Sequence, residues 1–249
     1  MTDIPADSRR SADEVQAHRG ASRVAPENTI AAFRAAREQG ARWVELDVAL
    51  LGDGTLAVIH DPTLDRTSSA SGSLAGIGRG DLDRIDAGAW FGPRFRGEKL
   101  PTFEQALAAL GELGLNVNVE IKPHAHHRSL AQLTEAVHAA LQQRNRQIEV
   151  MISSFDATAL AAMGRLDSDF ALAMLWNDLP ADWQAVLAAI PARAIHLNYR
   201  HLSFAILEAT RSRDIKVRAW TCNAPEKLAP FWAEGLAGVI TDTPELYLS

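Results

Sequence analysis

The stretch WVELDVAL at residues 43–50 decides the fold, because it is one of eight runs of the same kind. Each run is short and mainly apolar, and turn or charged residues bound it, which is typical of a buried strand in a parallel sheet. The other seven are VQAH (15–18), NVNVEIK (116–122), EVMISSF (149–155), FALAMLW (170–176), AIHLNY (194–199), KVRAWTC (216–222) and GVITDT (238–243).

Helical patterns separate these runs, and eight strands with intervening helices predict an α/β fold, a (β/α)8 barrel, which typically takes about 250 residues. Three of the patterns end on a glycine, because the left-handed backbone conformation that often ends a helix favours this residue. These glycines are Gly40, Gly114 and Gly235. A doubly wound open sheet is the alternative, but it normally has fewer strands, and no Gly-x-Gly-x-x-Gly motif follows the first strand. The patterns are ENTIAAFRAAREQG (27–40), TFEQALAALGELG (102–114), LAQLTEAVHAALQQR (130–144) and APEKLAPFWAEG (224–235).

One segment interrupts the alternation of strands and helices. GDGT (52–55) indicates a hairpin turn, and LAVIHD (56–61) follows it as a further short strand. Residues 62–101 are rich in Gly, Ser, Arg and Asp and are too long for an ordinary strand-to-helix loop. We therefore expect a small inserted subdomain after the second strand, packed over one end of the barrel.

Composition and charge narrow the class of protein. The chain has 249 residues, of which 47% are hydrophobic and 22% charged, as in ordinary globular proteins. A net charge of -6 without a basic cluster argues against nucleic-acid binding, and the single cysteine, Cys222, excludes an intramolecular disulfide. No apolar run is long enough to predict a membrane span.

The first fourteen residues are polar and lack the apolar core of a secretory signal. We expect residues 1–14 to form a flexible N-terminal arm, residues 15–249 to form the barrel domain, and the protein to be cytoplasmic.

Two carboxylates on the second strand suggest a metal site. Glu45 and Asp47 are two residues apart, so their side chains point to the same face of the strand. Facing the barrel interior they would repel each other, and a divalent cation would relieve the repulsion. Oxygen ligands suit Mg²⁺ or Ca²⁺, with Mn²⁺ a further option, and Glu120 could complete an acidic triad. The alternative is an outward-facing pair that bonds to arginines.

Lys122 and two histidines are further candidates for chemistry. Lys122 could hold an anionic group, although Glu120 and Lys122 alone favour an internal ion pair. His18 ends the first strand and His60 ends the extra strand, so both could lie at one barrel mouth. Two imidazoles there could serve as acid and base, the alternative for His18 being a surface loop.

Other residues carry weaker indications. For His124, His126 and His127 a solvated loop is favoured over a metal cluster. His196 fits a core or lining position, and Cys222 fits a small buried apolar residue. Trp220 could form an apolar wall of the pocket or could simply pack.

Taken in order, several elements resemble the glycerophosphodiester phosphodiesterase family, and they span almost the whole chain from residue 15. No single element is specific, but the ordered set is. The elements are AHRG (17–20), PENT (26–29), VELDV (44–48), VIHDPTLDRT (58–67), KLPTFEQAL (99–107), NVEIKP (118–123), AWTCN (219–223) and GVITDTP (238–244).

The resemblance implies a TIM barrel that hydrolyses glycerophosphodiesters to sn-glycerol 3-phosphate and an alcohol with one divalent cation. It implies that His18 and His60 are the acid and base, and that Glu45, Asp47 and Glu120 are metal ligands. Arg19 and Lys122 match phosphate contacts, and Glu27 matches a position that supports the site. The expected partner is the small-molecule substrate, and the oligomeric state is left open.

Two other activities and one function of another class remain open at this point. A phospholipase C-like enzyme would release a stable cyclic phosphate. A lysophospholipase D would need an apolar groove, for which Trp90, Phe91, Phe95 and Trp220 are candidates. A non-catalytic binding protein for glycerophosphodiesters would bind without turnover.

Overall fold

The computed structural model describes residues 9–124, 128–167 and 169–248, and it shows the expected closed barrel. Eight parallel strands form the barrel, which closes where the first strand pairs with both the second and the last. A ninth strand, β3, runs antiparallel to β2 and forms the predicted hairpin. The strands are β1 (Val15–His18), β2 (Trp43–Leu50), β3 (Leu56–Val58), β4 (Asn116–Ile121), β5 (Val150–Ser154), β6 (Ala171–Trp176), β7 (Ala194–Asn198), β8 (Lys216–Trp220) and β9 (Leu236–Thr241).

The helices begin and end where local sequence favours it. Thr102 and Gln105 form a capping box at the start of α3, and Gly114 ends that helix with a φ of 63°. Gly40 and Gly235 also have positive φ, but Gly235 does not cap a helix as predicted, because α8 (Ala229–Trp232) already ends at Trp232 with Ala233 as its C-cap. The helices are α1 (Ile30–Glu38), α2 (Arg79–Leu82), α3 (Phe103–Leu113), α4 (Leu130–Gln142), α5 (Ala157–Leu166), α6 (Trp183–Ala188), α7 (Phe204–Arg211), α8 (Ala229–Trp232) and α9 (Glu245–Leu248).

Alternation along β2 separates the apolar core from the barrel interior. Val44, Leu46 and Val48 belong to the main core cluster, which the strands share with the helices around them. Glu45 and Asp47, between them, therefore face the interior. The alternative in which this pair points outward is wrong, because the apolar residues of the strand occupy the outer face.

The segment between β3 and α3 builds a second, smaller apolar cluster. Leu64, Leu74, Leu82 and Ile85 pack there, together with residues of the β2–β3 hairpin. This cluster is separate from the main core, so the expected inserted subdomain has apolar packing of its own.

The described residues before β1 contact the last elements of the chain. The Arg10 N–H donates to the Tyr247 carbonyl at 2.8 Å, and the Val239 N–H donates to the Glu14 carbonyl at 2.8 Å. Throughout residues 9–124, 128–167 and 169–248, no helix is long and apolar enough to cross a membrane.

Candidate functional site

Three carboxylates meet inside the barrel near the carboxyl ends of β2 and β4. Glu45 and Asp47 project from β2, and Glu120 lies on β4 in register with Asp47. One oxygen of each lies within 4.8 Å of the others, and all three residues are buried. Glu45 Oε1 and Asp47 Oδ1 have no hydrogen-bond partner among the described residues. Buried carboxylate oxygens without donors fit a divalent cation such as Mg²⁺ or Ca²⁺.

The close approach of these carboxylates opposes their ionisation. Burial, and then the charges of Asp47 and Glu120, raises the pKa of Glu45 well above its usual value. Burial and the charge of Asp47 raise the pKa of Glu120 to about 7. Burial acts the same way on Asp47, but Arg19 and Lys122 outweigh it and lower the pKa of Asp47. A bound cation would relieve this crowding of negative charge.

The loop between β1 and α1 is fixed to the same carboxylates. The Arg19 N–H donates to Glu45 Oε2 at 3.0 Å, and the Asn28 side-chain amide donates to Asp47 Oδ2 at 2.8 Å. Arg19 and Asn28 both adopt left-handed φ, at 55° and 59°, which non-glycine residues rarely do. Glu45 and Asp47 thus each hold the loop with one oxygen, and the other oxygen accepts no hydrogen bond from a described residue.

Two cations lie beside the carboxylates. Arg19 Nε is 3.2 Å from Asp47 Oδ2, and Lys122 Nζ is 2.7 Å from Glu120 Oε1 and 3.6 Å from Asp47 Oδ1. The internal ion pair that Glu120 and Lys122 alone suggest is therefore present. Both cations also line the cavity at the barrel mouth, where they can meet an anionic substrate.

His18 is held by an aspartate from the other end of the chain. Its Nδ1 lies 2.6 Å from Asp242 Oδ1, just beyond the end of β9. Ser22 Oγ and Asn223 Nδ2 also donate to Asp242, at 2.9 and 2.7 Å. Burial opposes ionisation of Asp242, but the hydrogen bonds from His18, Asn223 and Ser22 lower its pKa to about 2. The carboxylate is therefore charged at neutral pH and orients the ring of His18.

His60 has an equivalent partner, Asp61, whose Oδ1 lies 2.6 Å from His60 Nδ1. Arg66, in the inserted segment, donates to Asp61 and also donates two hydrogen bonds to Glu27. Glu27 in turn accepts from Arg19 Nη1 at 2.7 Å. Burial lowers the pKa of His60 below its usual value, and the charges of Arg19 and Lys122 add to this effect against the opposing charge of Asp47. One chain of ionic contacts thus joins His60 and Arg19 to the inserted segment, whereas His18 is held separately by Asp242.

These residues surround a cavity of about 180 Å³ at the carboxyl ends of the strands. Its lining includes His18, His60 and the cations on one side, with Phe155 and Trp220 as an aromatic wall. The two aromatic rings meet edge to face, with centroids 5.5 Å apart. Trp220 therefore both lines the pocket and packs, so its two expected roles coincide.

The aromatic groove suggested for an acyl chain does not form as expected. Trp90, Phe91 and Phe95 pack edge to face on one another within the inserted segment. None of these three lines the cavity at the mouth, whereas Trp220 does. Phe155, which the sequence did not single out, takes the place beside Trp220.

The remaining candidates have simple outcomes. Within the described part of the chain, the three carboxylates are the one group of three potential metal ligands. His126 and His127 lie outside the described residues. Cys222 is fully buried in the main core, as expected. His196 is also fully buried, but neither ring nitrogen has a described hydrogen-bond partner.

Sequence reasoning missed the residues that hold the candidates in place: Asp242, Asn223, Asn28 and Arg66. One indication was available for Asp242. Closure of a barrel brings the ends of its first and last strands together, so a carboxylate after β9 must lie near His18.

Comparison with known proteins then identifies the family. Residues 18–246 match the model of the glycerophosphoryl diester phosphodiesterase family. The chain belongs to this family. Its enzyme class is therefore the expected one, that of the phosphoric diester hydrolases.

Individual relatives agree over nearly their whole length. A glycerophosphodiester phosphodiesterase of Caldanaerobacter subterraneus subsp. tengcongensis is 34% identical, over 94% of this chain and 96% of that protein. An Oleispira antarctica phosphodiesterase, solved with its product sn-glycerol-3-phosphate, has a TM-score of 0.89 at 30% identity, over 93% and 94% of the two chains. An Agrobacterium tumefaciens glycerophosphodiester phosphodiesterase has a TM-score of 0.78 at 28% identity, over 94% and 98%. These structures share the barrel described above.

Proposed function

We propose that the protein hydrolyses glycerophosphodiesters to sn-glycerol 3-phosphate and an alcohol, with His18 and His60 as acid and base beside a cation site. The observation that carries this is the pair of aspartate-bound histidines at one mouth, next to the acidic triad. The product bound to the Oleispira relative supports the choice of substrate class.

Glu45, Asp47 and Glu120 are the residues that would hold one divalent cation, Mg²⁺ or Ca²⁺, with Mn²⁺ a further option. Their fit rests on the two buried oxygens of Glu45 and Asp47 that lack donors among the residues described. When bound, such an ion neutralises phosphate charge as the transition state forms.

Arg19 and Lys122 would bind the phosphate. The guanidinium of Arg19 can present two N–H groups to phosphate oxygens, and Lys122 adds a point charge. Glu27 supports this arrangement, because it fixes the Arg19 side chain from behind. The aromatic wall of Phe155 and Trp220 would exclude water from one side of the bound group.

The two histidines would move the protons. With Nδ1 of each ring bound to an aspartate, Nε2 is left to exchange a proton with substrate. One histidine would take a proton from the attacking hydroxyl or water, and the other would give a proton to the leaving alkoxide. Opposite protonation states of the two rings are therefore required at the start.

The test is turnover of glycerophosphocholine, followed by detection of sn-glycerol 3-phosphate, in metal-stripped protein with single cations added back. We expect His18→Asn and His60→Asn each to lower kcat by about 10² to 10⁴, the usual contribution of an acid or base. His138→Asn is the matched control, since His138 lies on α4 outside the cavity lining.

Three outcomes would contradict the proposal. Near-normal activity in both histidine variants would remove the acid–base roles. Full activity without any added divalent cation would remove the cation site. Binding of glycerophosphocholine by the folded protein without turnover would support a binding protein instead.

A further inference from the structure

A second cavity lies at the end of the barrel opposite the catalytic mouth. First residues of several strands line it, among them Trp43 of β2, Ala171 of β6 and Lys216 of β8. Its volume is about 680 Å³. In barrels of this kind the catalytic residues lie at the carboxyl ends of the strands, so this cavity has no part in the reaction.

Arg218 reaches this cavity from inside the barrel. Trp220, two residues further along β8, lines the catalytic cavity. Residues two apart on a strand point to the same side, so the Arg218 side chain also points into the barrel, nearer to the end away from the catalytic mouth. Gly238 lies against both Glu14 and Arg218, because a Cβ there would lie 2.5 Å from the Glu14 carbonyl oxygen and 2.9 Å from Arg218 Nε. The absence of a side chain at position 238 thus leaves space that the Arg218 side chain uses.

The guanidinium of Arg218 lacks a direct counter-ion. Over residues 9–124, 128–167 and 169–248, no ion pair within 4.0 Å and no hydrogen bond joins it to another side chain, and its Nε is buried without a partner. Glu14 is the carboxylate whose charge acts on Arg218, and it does so from beyond ion-pair distance. A mostly buried cation without a partner is costly, so a ligand that supplies negative charge would be stabilised here.

Two further cations line the cavity beside Arg218. Arg193 and Lys216 line the same cavity at its exposed rim. His196, the register partner of Arg218 on β7, is fully buried, and both of its ring nitrogens lack described partners. His196 does not line the cavity, so it makes no direct contact with a ligand there.

Acidic residues at the cavity do not neutralise Arg218. Asp13 bonds to Arg42 at 3.3 Å, and Glu149 bonds to Asn116 at 3.4 Å. Asp214 is exposed at the rim. These carboxylates limit the size and charge of a ligand, since a large polyanion would meet them.

We propose that this cavity binds a small oxyanion such as inorganic phosphate, with Arg218 as its main contact and Lys216 and Arg193 at the rim. Tetrahedral oxyanions suit the fork of donors that a guanidinium presents. The bound anion stabilises the lower end of the barrel and takes no part in catalysis, so the site stands independently of the proposed reaction.

The experiment measures phosphate binding to the full chain by calorimetry and by the shift of Tm with phosphate concentration. Because Arg19 and Lys122 can also bind phosphate, the variants Arg218→Met and Lys122→Met are compared. We expect Lys122→Met to keep a phosphate-dependent rise in Tm, and Arg218→Met to weaken that binding at least about tenfold, the worth of one charged hydrogen bond.

A structural readout covers the case in which Arg218→Met does not fold. Crystals of the unaltered protein soaked in selenate should show an anomalous peak beside the Arg218 guanidinium. A cavity that holds water only, or phosphate binding that is lost in Lys122→Met and unchanged in Arg218→Met, would overturn the proposal.

Discussion

The aspartate that holds His18 offers the sharpest test of how the site works. Asp242→Asn keeps the size of the side chain but replaces one acceptor oxygen by an N–H₂ group. Three donors converge on this carboxylate, from His18, Ser22 and Asn223, at 2.6 to 2.9 Å. An amide can satisfy them only in part, so the ring of His18 loses its fixed orientation and tautomer.

The expected magnitude follows from the hydrogen bond that is lost. A hydrogen bond to a charged group is worth about 1.5–3 kcal/mol. Loss of the hydrogen bond between His18 and Asp242 would raise the activation free energy by about this amount, because the His18 ring would exchange a proton with substrate in the transition state. We therefore expect kcat to fall by about 10²-fold. KM should change little, because Asp242 is not among the residues that line the cavity.

The assay compares four variants, Asp242→Asn, His18→Asn, their double variant and Ser22→Ala, by turnover of glycerophosphocholine with detection of sn-glycerol 3-phosphate. Asp242→Asn should add nothing in a His18→Asn background, since Asp242 acts through His18. Ser22→Ala, the matched control, removes one neutral donor and should cost less than about tenfold. Activity of Asp242→Asn close to normal, or a further loss in the double variant, would refute the reasoning.

Three further predictions follow from the geometry. Folding raises the pKa of Glu120 from 4.5 to about 7, so between these pH values the folded metal-free protein binds more protons than the unfolded chain. Its free energy of unfolding should therefore fall as pH rises through this range, by up to about 3 kcal/mol. Thermal melts in chelator should show this fall, and added Mg²⁺ or Ca²⁺ should remove it. Arg66→Lys removes the forked hydrogen bonds to Glu27 and Asp61 and should lower kcat/KM by about tenfold. Tm should change little, because Arg66 is half exposed. An unchanged kcat/KM would disprove the positioning role of Arg66. Gly20→Ala should destabilise the protein by about 1–3 kcal/mol in denaturant melts. The φ of Gly20 is +83°, and the new Cβ would lie 2.6 Å from the Ala32 backbone. A neutral effect would show that the loop is not held rigidly.

Strands and helix ends could be predicted because their determinants are local. All eight barrel strands overlap the apolar runs, although β9 begins at Leu236, two residues before its run, and Gly40, Gly114 and Gly235 have the expected positive φ. The acidic triad could also be predicted, because alternation along β2 forces Glu45 and Asp47 to one face and the barrel makes that face internal.

Contacts between distant parts of the chain could not be predicted in the same way. His18 and Asp242 are 224 residues apart, and only closure of the barrel brings them together. The inserted segment is harder still, because its residues follow neither the helical nor the strand period. For this reason the roles of Arg66 and the packing of Trp90 away from the mouth emerged only in three dimensions.

The two oxygens of Glu45, like those of Asp47, have different contacts, and this difference has a consequence for ligand binding. One oxygen of each carboxylate fixes the loop that carries Arg19, and the other accepts no hydrogen bond from a described residue and would bind the proposed cation. A cation that orders these carboxylates would also order the loop of Arg19, the proposed phosphate contact, so the cation and phosphate should bind cooperatively. Thermodynamic reciprocity then requires phosphate to tighten cation binding by the same factor.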